Sequence, residues 1–145
     1  MKQTYVPRSE EDYYQESIAD LSFNEANVQQ FMFKVGTNRA KWASYKYHEE
    51  QILEQAKQAY NTIYKNVFHR YMYEPKEDLE NIKIEKKNIS IYIEADNEVK
   101  KARLAVVTQE NKIKFLERIL DIFDSSSFTI NNYIKHLIWQ SGNDN

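Results

Sequence analysis

Cysteine is missing from the 145 residues, and glycine and proline occur only twice each. Without cysteine there is no disulfide framework, no thiolate nucleophile and no cysteine-ligated zinc site. With so little glycine and proline, the glycine-rich loops and tight turns on which many enzyme sites and β-rich folds depend have little to be built from. No apolar run approaches the roughly 20 residues of a membrane span, and Met1-Lys2-Gln3-Thr4-Tyr5 lacks the apolar core of a signal peptide. A soluble intracellular protein is the expectation. No glycine-rich loop leads into Lys and Ser/Thr, which excludes phosphate cradling of the ATPase kind, and no dinucleotide fingerprint occurs. His48, His69 and His136 stand far apart, with no second ligand at metal-site spacing. Glu50 and Glu54 share a helix face, but separating their pKa values into acid and base roles would need burial that nothing here provides. An enzyme is the weakest reading, and neither a metal nor a cofactor is expected.

Two apolar stripes are the strongest positive signal. Val99, Ala102, Val106, Gln109, Ile113, Leu116, Leu120 and Phe123 repeat at 3-4-3-4 spacing, which lines one face of a single helix. Trp42, Tyr45, Glu49, Ile52, Ala56, Ala59, Ile63 and Val67 recur at nearly the same spacing, with polar residues between them. Each stripe needs a partner to cover it. The fold class that follows is mainly α: two long amphipathic helices with short N- and C-terminal helices, assembling as a helical oligomer.

Along the chain, residues 1–16 are polar and acidic, interrupted by Pro7, and bury too little apolar surface to offset the entropy of ordering, so they are expected to be mobile. Residues 17–145 form one domain. Its first short helix lies within 18–34, with Ser22 or Asn24 as cap, and Val35-Gly36-Thr37 ends it. A basic, aromatic helix covers 39–71 and stops before Glu74-Pro75-Lys76. Near 82–94 the alternation of Ile89, Ile91 and Ile93 favours a short strand or irregular stretch, although Ile82, Ile89 and Ile93 would also share a helix face. Asp96 is a good N-cap for a second long helix, with Glu98 well placed against its dipole. Ser125-Ser126-Ser127 is expected to break that helix, and a last short helix, capped by Thr129 or Ser127, closes the 96–142 segment.

The net charge of −2 conceals blocks: −4 over 1–33, +4 over 34–70, −4 over 71–98, +4 over 99–118 and −2 over 119–145. Both long helices are therefore basic. Segregated charge can give the local field a nucleic-acid binder needs, or acidic blocks can pair with basic ones within or between subunits. On the first helix the cations Lys57, Lys65 and Arg70 are interleaved with Tyr60, Tyr64, Phe68, Tyr71 and Tyr73. Cations for phosphates beside flat rings for unstacked bases suit single-stranded nucleic acid, while aromatics at helical spacing also serve as core. Lys57, Lys65 and Arg70 are unlike core residues and are the best phosphate contacts, with Tyr64 and Tyr71 as stacking partners. On the second helix Lys100, Lys101, Arg103, Lys112, Lys114 and Arg118 partly flank the apolar seam, where setting helix register outranks nucleic-acid contact.

Over about residues 41–142 the chain resembles the UvsY-type recombination mediators of T-even-like phages. The resemblance rests on a collinear set: Ile89-Ser90-Ile91-Tyr92-Ile93-Glu94-Ala95-Asp96, Lys112-Ile113-Lys114-Phe115-Leu116-Glu117-Arg118-Ile119-Leu120, Phe128-Thr129-Ile130-Asn131-Asn132-Tyr133-Ile134 and Trp139-Gln140-Ser141-Gly142. The chain departs from the family pattern at Ser126-Ser127-Phe128, where an Arg-Gly pair is usual. It departs again over Lys65 to Tyr73, which lacks the usual glycine and keeps comparable character only at Lys65, Arg70 and Tyr71. The resemblance implies a non-enzymatic factor of phage recombination, repair and recombination-dependent replication, in the cytoplasm of the infected bacterium. It implies binding to single-stranded DNA, and contacts to a strand-exchange ATPase (the recombinase) and to the single-strand DNA-binding protein that the recombinase replaces. It also implies an oligomeric ring, with residues from about 99 to 140 as the assembly element and Leu116, Leu120, Phe123, Ile134 and Leu137 at subunit contacts. The rival is a helical oligomeric scaffold or adaptor without nucleic-acid binding, its charge blocks serving assembly alone.

Overall fold

A computed structural model describes residues 5–73 and 88–142. The described residues form four helices: α1 (Glu10–Leu21), α2 (Val28–Tyr73), α3 (Ile89–Ala95) and α4 (Asn97–Gly142). The chain divides into two compact units, one made of residues 1–49 with 112–145 and the other of residues 50–111.

In the first unit, α1 begins inside the stretch whose composition reads as loose. Its start is a capping box: Ser9 Oγ accepts from the Asp12 amide and the Ser9 amide donates to Asp12 Oδ2, both at 3.1 Å. Glu10, Glu11 and Asp12 lie in the first turn, favourable against the helix dipole. What orders this acidic segment is the basic helix it lies against. Glu16 accepts from Arg8 at 2.6 Å and from the Tyr45 hydroxyl at 2.9 Å, and Lys41 Nζ stands 3.1 Å from it. Asp20 Oδ2 accepts from Lys41 at 2.6 Å and from the Trp42 indole at 2.9 Å. Of the residues 1–16 expected to be mobile, 10–16 lie in α1 and Tyr5 and Arg8 are hydrogen-bonded, while residues 1–4 lie outside the described residues.

The apolar centre of this unit is Tyr13, Trp42, Leu116, Ile119 and Phe123, with Leu21, Tyr45, Phe115 and Leu120 packed against it. Burying a side chain of the Leu or Phe class contributes roughly 1.5–3 kcal/mol, so five such residues outweigh the exposed ion pairs around them. One carboxylate lies inside: Glu49, fully buried, accepts from the hydroxyls of Tyr5 (2.7 Å) and Tyr13 (2.8 Å) at Oε1 and from Lys112 Nζ (3.4 Å) at Oε2. The two tyrosine hydroxyls also touch each other. Burial and the neighbouring Glu49 push the Tyr5 phenol up to about 12, and burial, Tyr5 and Glu49 push Tyr13 up as well.

Three expected breaks differ from the structure. The turn before α2 is closed by Asn24 and Asn27, each side-chain oxygen accepting from the other's amide (3.1 and 2.6 Å), and Asn27 O accepts from the Phe31 amide at 2.9 Å, so Asn27 stands at the N-cap position and Asn24 closes the turn ahead of it. But α2 then runs through Val35-Gly36-Thr37 without stopping. A glycine costs a helix interior only about 1 kcal/mol relative to alanine, and the stripe on either side, with Phe31 and Trp42 buried, holds the helix through it. Likewise α4 passes through Ser125-Ser126-Ser127. The hydroxyls of Ser125 and Ser126, and of Thr129 beyond them, do not compete with the helix but bond back to its carbonyls: Ser125 to Ile122 (3.1 Å), Ser126 to Phe123 (2.6 Å) and Thr129 to Ser125 (3.3 Å). The short C-terminal helix is therefore the end of the long one.

The third difference is in the second unit. Residues 89–95, favoured as strand, are the helix α3, because Ile89 and Ile93 are buried four residues apart while Ile91 faces solvent at 65% exposure. The remainder of the 82–94 expectation, like the stop at Glu74-Pro75-Lys76, lies outside the described residues. Val67 of α2, Ile89 and Ile93 of α3 and Val99 of α4 form this unit's core, with Tyr60, Ile63, Tyr64, Tyr71 and Met72 packed on it. Asp96 turns α3 into α4. Its amide donates to Ile93 O at 3.1 Å, and its carboxylate accepts from the Glu98 amide at 2.9 Å, as the expected N-cap.

Candidate nucleic-acid interface

The second unit sets its cations on the rim of a small apolar core. On α2 the residues Lys57, Tyr60, Asn61 and Tyr64 fall at i, i+3, i+4 and i+7, one face of the helix. Tyr60 and Tyr64 are half-buried neighbours, their rings 6.1 Å apart and tilted at 49°. Their inner edges pack on the Val67 core, so only part of each ring is offered outward. Lys57 is exposed and only loosely paired with Glu54 at 3.8 Å, and Lys65 is exposed with no ion pair among the described residues. Such pairs contribute little, on the order of 0–1 kcal/mol, and give way readily to a phosphate.

Arg70 and Tyr71 are arranged differently. Arg70 Nη2 lies 3.3 Å from Glu98 Oε2, both groups well exposed, and the Tyr71 hydroxyl donates to Asp96 Oδ2 at 3.2 Å. Burial and the Asp96 carboxylate raise the Tyr71 phenol above its ordinary value. The start of α4 thus holds both residues with the acceptor chemistry that a phosphodiester would offer. Of the five sequence-derived contacts, Lys57 and Tyr64 share one face, Lys65 is exposed between them and the end of α2, and Arg70 and Tyr71 form a separate pair engaged by carboxylates.

Sequence reasoning missed Arg103. Spacing along α4 puts it beside the seam as a register-setting residue, yet in the folded unit Arg103 and Val106 line, with Lys57, Tyr60 and Asn61, an open cleft of about 310 Å³. The signal lay in the i, i+3, i+4 grouping on α2, but which α4 cation would meet it depends on the pairing of two helices far apart in sequence.

The residues assigned to subunit contacts fall in the first unit. Leu116 and Phe123 are enclosed by their own chain beside Tyr13 and Trp42, leaving them no surface for a neighbouring copy. Leu120 packs on that core while half-buried, and Ile134 and Leu137 are also half-buried. Exposed apolar side chains near them in sequence are Ile122, Phe128, Ile138 and Trp139. Some cations of this unit are engaged, while Lys34, Lys114, Arg118 and Lys135 are exposed with no ion pair among the described residues. Lys41 is held by Asp20 and Glu16, Arg39 pairs with Asp124, Lys46 is 3.7 Å from Glu117, and Lys112 reaches Glu49. No group of three or more His, Asp or Glu that could hold a metal occurs among the described residues, and no helix there is long and apolar enough to cross a membrane.

Comparison with known proteins bears on the whole chain. The model of the family described as "Recombination, repair and ssDNA binding protein UvsY" matches residues 8–143. Two crystal structures of the recombination mediator protein UvsY of bacteriophage T4, from different lattice types, share the fold. One has a TM-score of 0.77 at 14% identity, covering 92% of this chain and 99% of that one. The other has a TM-score of 0.75 at 16% identity, covering 94% and 99%. None of the curated proteins compared with the chain matches it.

Proposed function

This chain belongs to the UvsY family of recombination, repair and ssDNA-binding proteins, and from that premise we propose that it is a non-enzymatic recombination mediator. It binds single-stranded DNA and helps a recombinase replace the single-strand DNA-binding protein on the strand. The observation that carries the reading is the cation-and-ring face of α2: Lys57 and Lys65 stand exposed on the helix that carries the neighbouring rings of Tyr60 and Tyr64, and Lys57 is held only loosely, 3.8 Å from Glu54. That combination of mobile positive charge and flat surface suits a flexible strand with unstacked bases.

Each subunit offers few phosphate contacts, so useful affinity requires several copies on one strand. We assign assembly to the C-terminal half of α4, through Leu120, Ile134 and Leu137 together with the exposed Phe128, Ile138 and Trp139. A closed ring would align the α2 faces for a single strand. Arg70 and Tyr71 join the contact when phosphates displace Glu98 and Asp96.

Fluorescence anisotropy with labelled oligo-dT at two salt concentrations tests this. Strongly salt-dependent binding, weakened in Lys57→Ala, Lys65→Ala and Arg70→Ala, is the expected result; a chain that ignores the oligonucleotide in dilute buffer is instead a protein-only scaffold. Light scattering on the eluting protein tests assembly: a monomer unchanged by Leu120→Asp or Trp139→Ser contradicts the ring.

A further inference from the structure

The cleft lined by Lys57, Tyr60, Asn61, Arg103 and Val106 has a composition that the general reading does not require. Its lining combines an aromatic ring, an isopropyl group and one amide with two cations from different helices. No carboxylate lines it; Glu54 reaches Lys57 only at 3.8 Å, and Arg103 makes no ion pair among the described residues.

A site for a bare anion needs no aromatic ring in its lining, and a site for an apolar ligand needs no pair of cations. Both features together match a ligand that is a flat ring at one end and a phosphodiester at the other. At about 310 Å³ the cleft is at the small end of ligand sites, which start at roughly 300 Å³. It therefore has room for one such unit and not a run of them.

Resting on the DNA-binding reading, we propose that this cleft is a subsite for a single nucleotide of the bound strand. The base lies over Tyr60 and Val106, Asn61 meets the base edge, and the flanking phosphates lie between Lys57 and Arg103. Asn61 can donate through its amide nitrogen and accept through its oxygen, so it serves any of the bases without choosing among them. Arg103 is here a binding residue in its own right. Its planar guanidinium can hold a phosphate with two parallel hydrogen bonds, which Lys57 cannot do.

The test compares two labelled oligonucleotides of equal length and phosphate number, one oligo-dT and one made of abasic sugar-phosphate units, with the full-length chain. Wild-type protein is expected to bind oligo-dT more tightly by about fivefold or more, the contribution of a stacked base. Arg103→Ala weakens both ligands. Tyr60→Leu, which keeps an apolar side chain on the Val67 core, and Asn61→Ala, which touches no core residue, shrink the preference for bases while abasic binding persists. Circular dichroism on each variant establishes that the helices are retained. If all three variants bind both strands as the wild type does while Lys65→Ala and Arg70→Ala lose affinity, the nucleotide subsite is wrong and the DNA-binding reading stands. If the wild type binds neither strand, both fall. Equal competition by a polyglutamate peptide also overturns the subsite, because the cations would then be acting as a plain anion site.

Discussion

The two units draw on the same pair of long helices yet treat polar groups in opposite ways. Residues 1–49 with 112–145 direct theirs inward: a buried glutamate takes two phenols and a lysine, and two further carboxylates tie α1 to Lys41, Trp42 and Tyr45. Residues 50–111 keep a small aliphatic core and leave cations on its edge, paired loosely or with groups a phosphate could replace. The lesson is that a helix can be scaffold at one end and binding surface at the other without any change in overall charge. What differs is how deep the partner lies: Lys112 of the first unit reaches a fully buried carboxylate, whereas Lys57 and Arg70 of the second meet only exposed ones.

The comparison breaks most sharply at Trp42. Trp42→Ala removes the largest fully buried side chain of the first unit, along with the indole donor to Asp20, and should cost about 3–5 kcal/mol in denaturant unfolding; a loss below about 1 kcal/mol would show that unit not to depend on its aromatic core. Glu49→Gln, nearly isosteric, leaves Lys112 without its charged partner and gives the two phenols a weaker acceptor. A loss of roughly 1–3 kcal/mol follows, with little change in oligo-dT affinity.

Two groups of the first unit illustrate the dependence on pH at its acid and alkaline ends. For Glu16, burial raises the pKa, but hydrogen bonds from Arg8, Lys41 and Tyr45 outweigh it and hold the carboxyl below its ordinary 4.5. Its contribution is present above about pH 4.5 and is lost as pH falls through the depressed folded value. Tyr5 moves the other way, from 10.0 to about 12, so its contribution is complete below pH 10 and disappears as pH rises between these values. Thermal melts across pH should fall off at both ends, and Tyr5→Phe should remove part of the alkaline loss; an unchanged alkaline limb in that variant would assign it elsewhere. The smallest stability effects belong to the second unit. Lys65→Ala and Glu98→Gln should change unfolding by under about 1 kcal/mol, while Lys65→Ala lowers the salt slope of DNA binding by about one and Glu98→Gln tightens binding by releasing Arg70.

The fold was largely legible because its periodicity is strong: the two stripes and the helical class follow from spacing, and the Asp96 cap from its residue type ahead of the second stripe. The errors share a cause. Gly36 and Ser125–Ser127 are local breakers, and local preferences of about 1 kcal/mol yield to a stripe buried on both sides of them. Ile89 to Ile93 fits either period, and only the Val67 and Val99 packing decides. Glu49 and Gln109 interrupt the stripes in sequence yet are buried. Around Glu49, Tyr5, Tyr13 and Lys112 come from 36 to 63 residues away, beyond any local pattern. At the candidate site, Lys57 and Tyr64 were readable as residue types, whereas Arg103 joins them only through tertiary pairing.

Between α3 and α4 there is one residue, Asp96, and it serves both neighbours. A corner with no slack fixes phase: an alanine inserted after it would carry Val99 about 100° around the α4 axis, away from Ile93 and Val67. Length here is as constrained as identity, and a conservative substitution at position 96 should be tolerated far better than the smallest possible insertion.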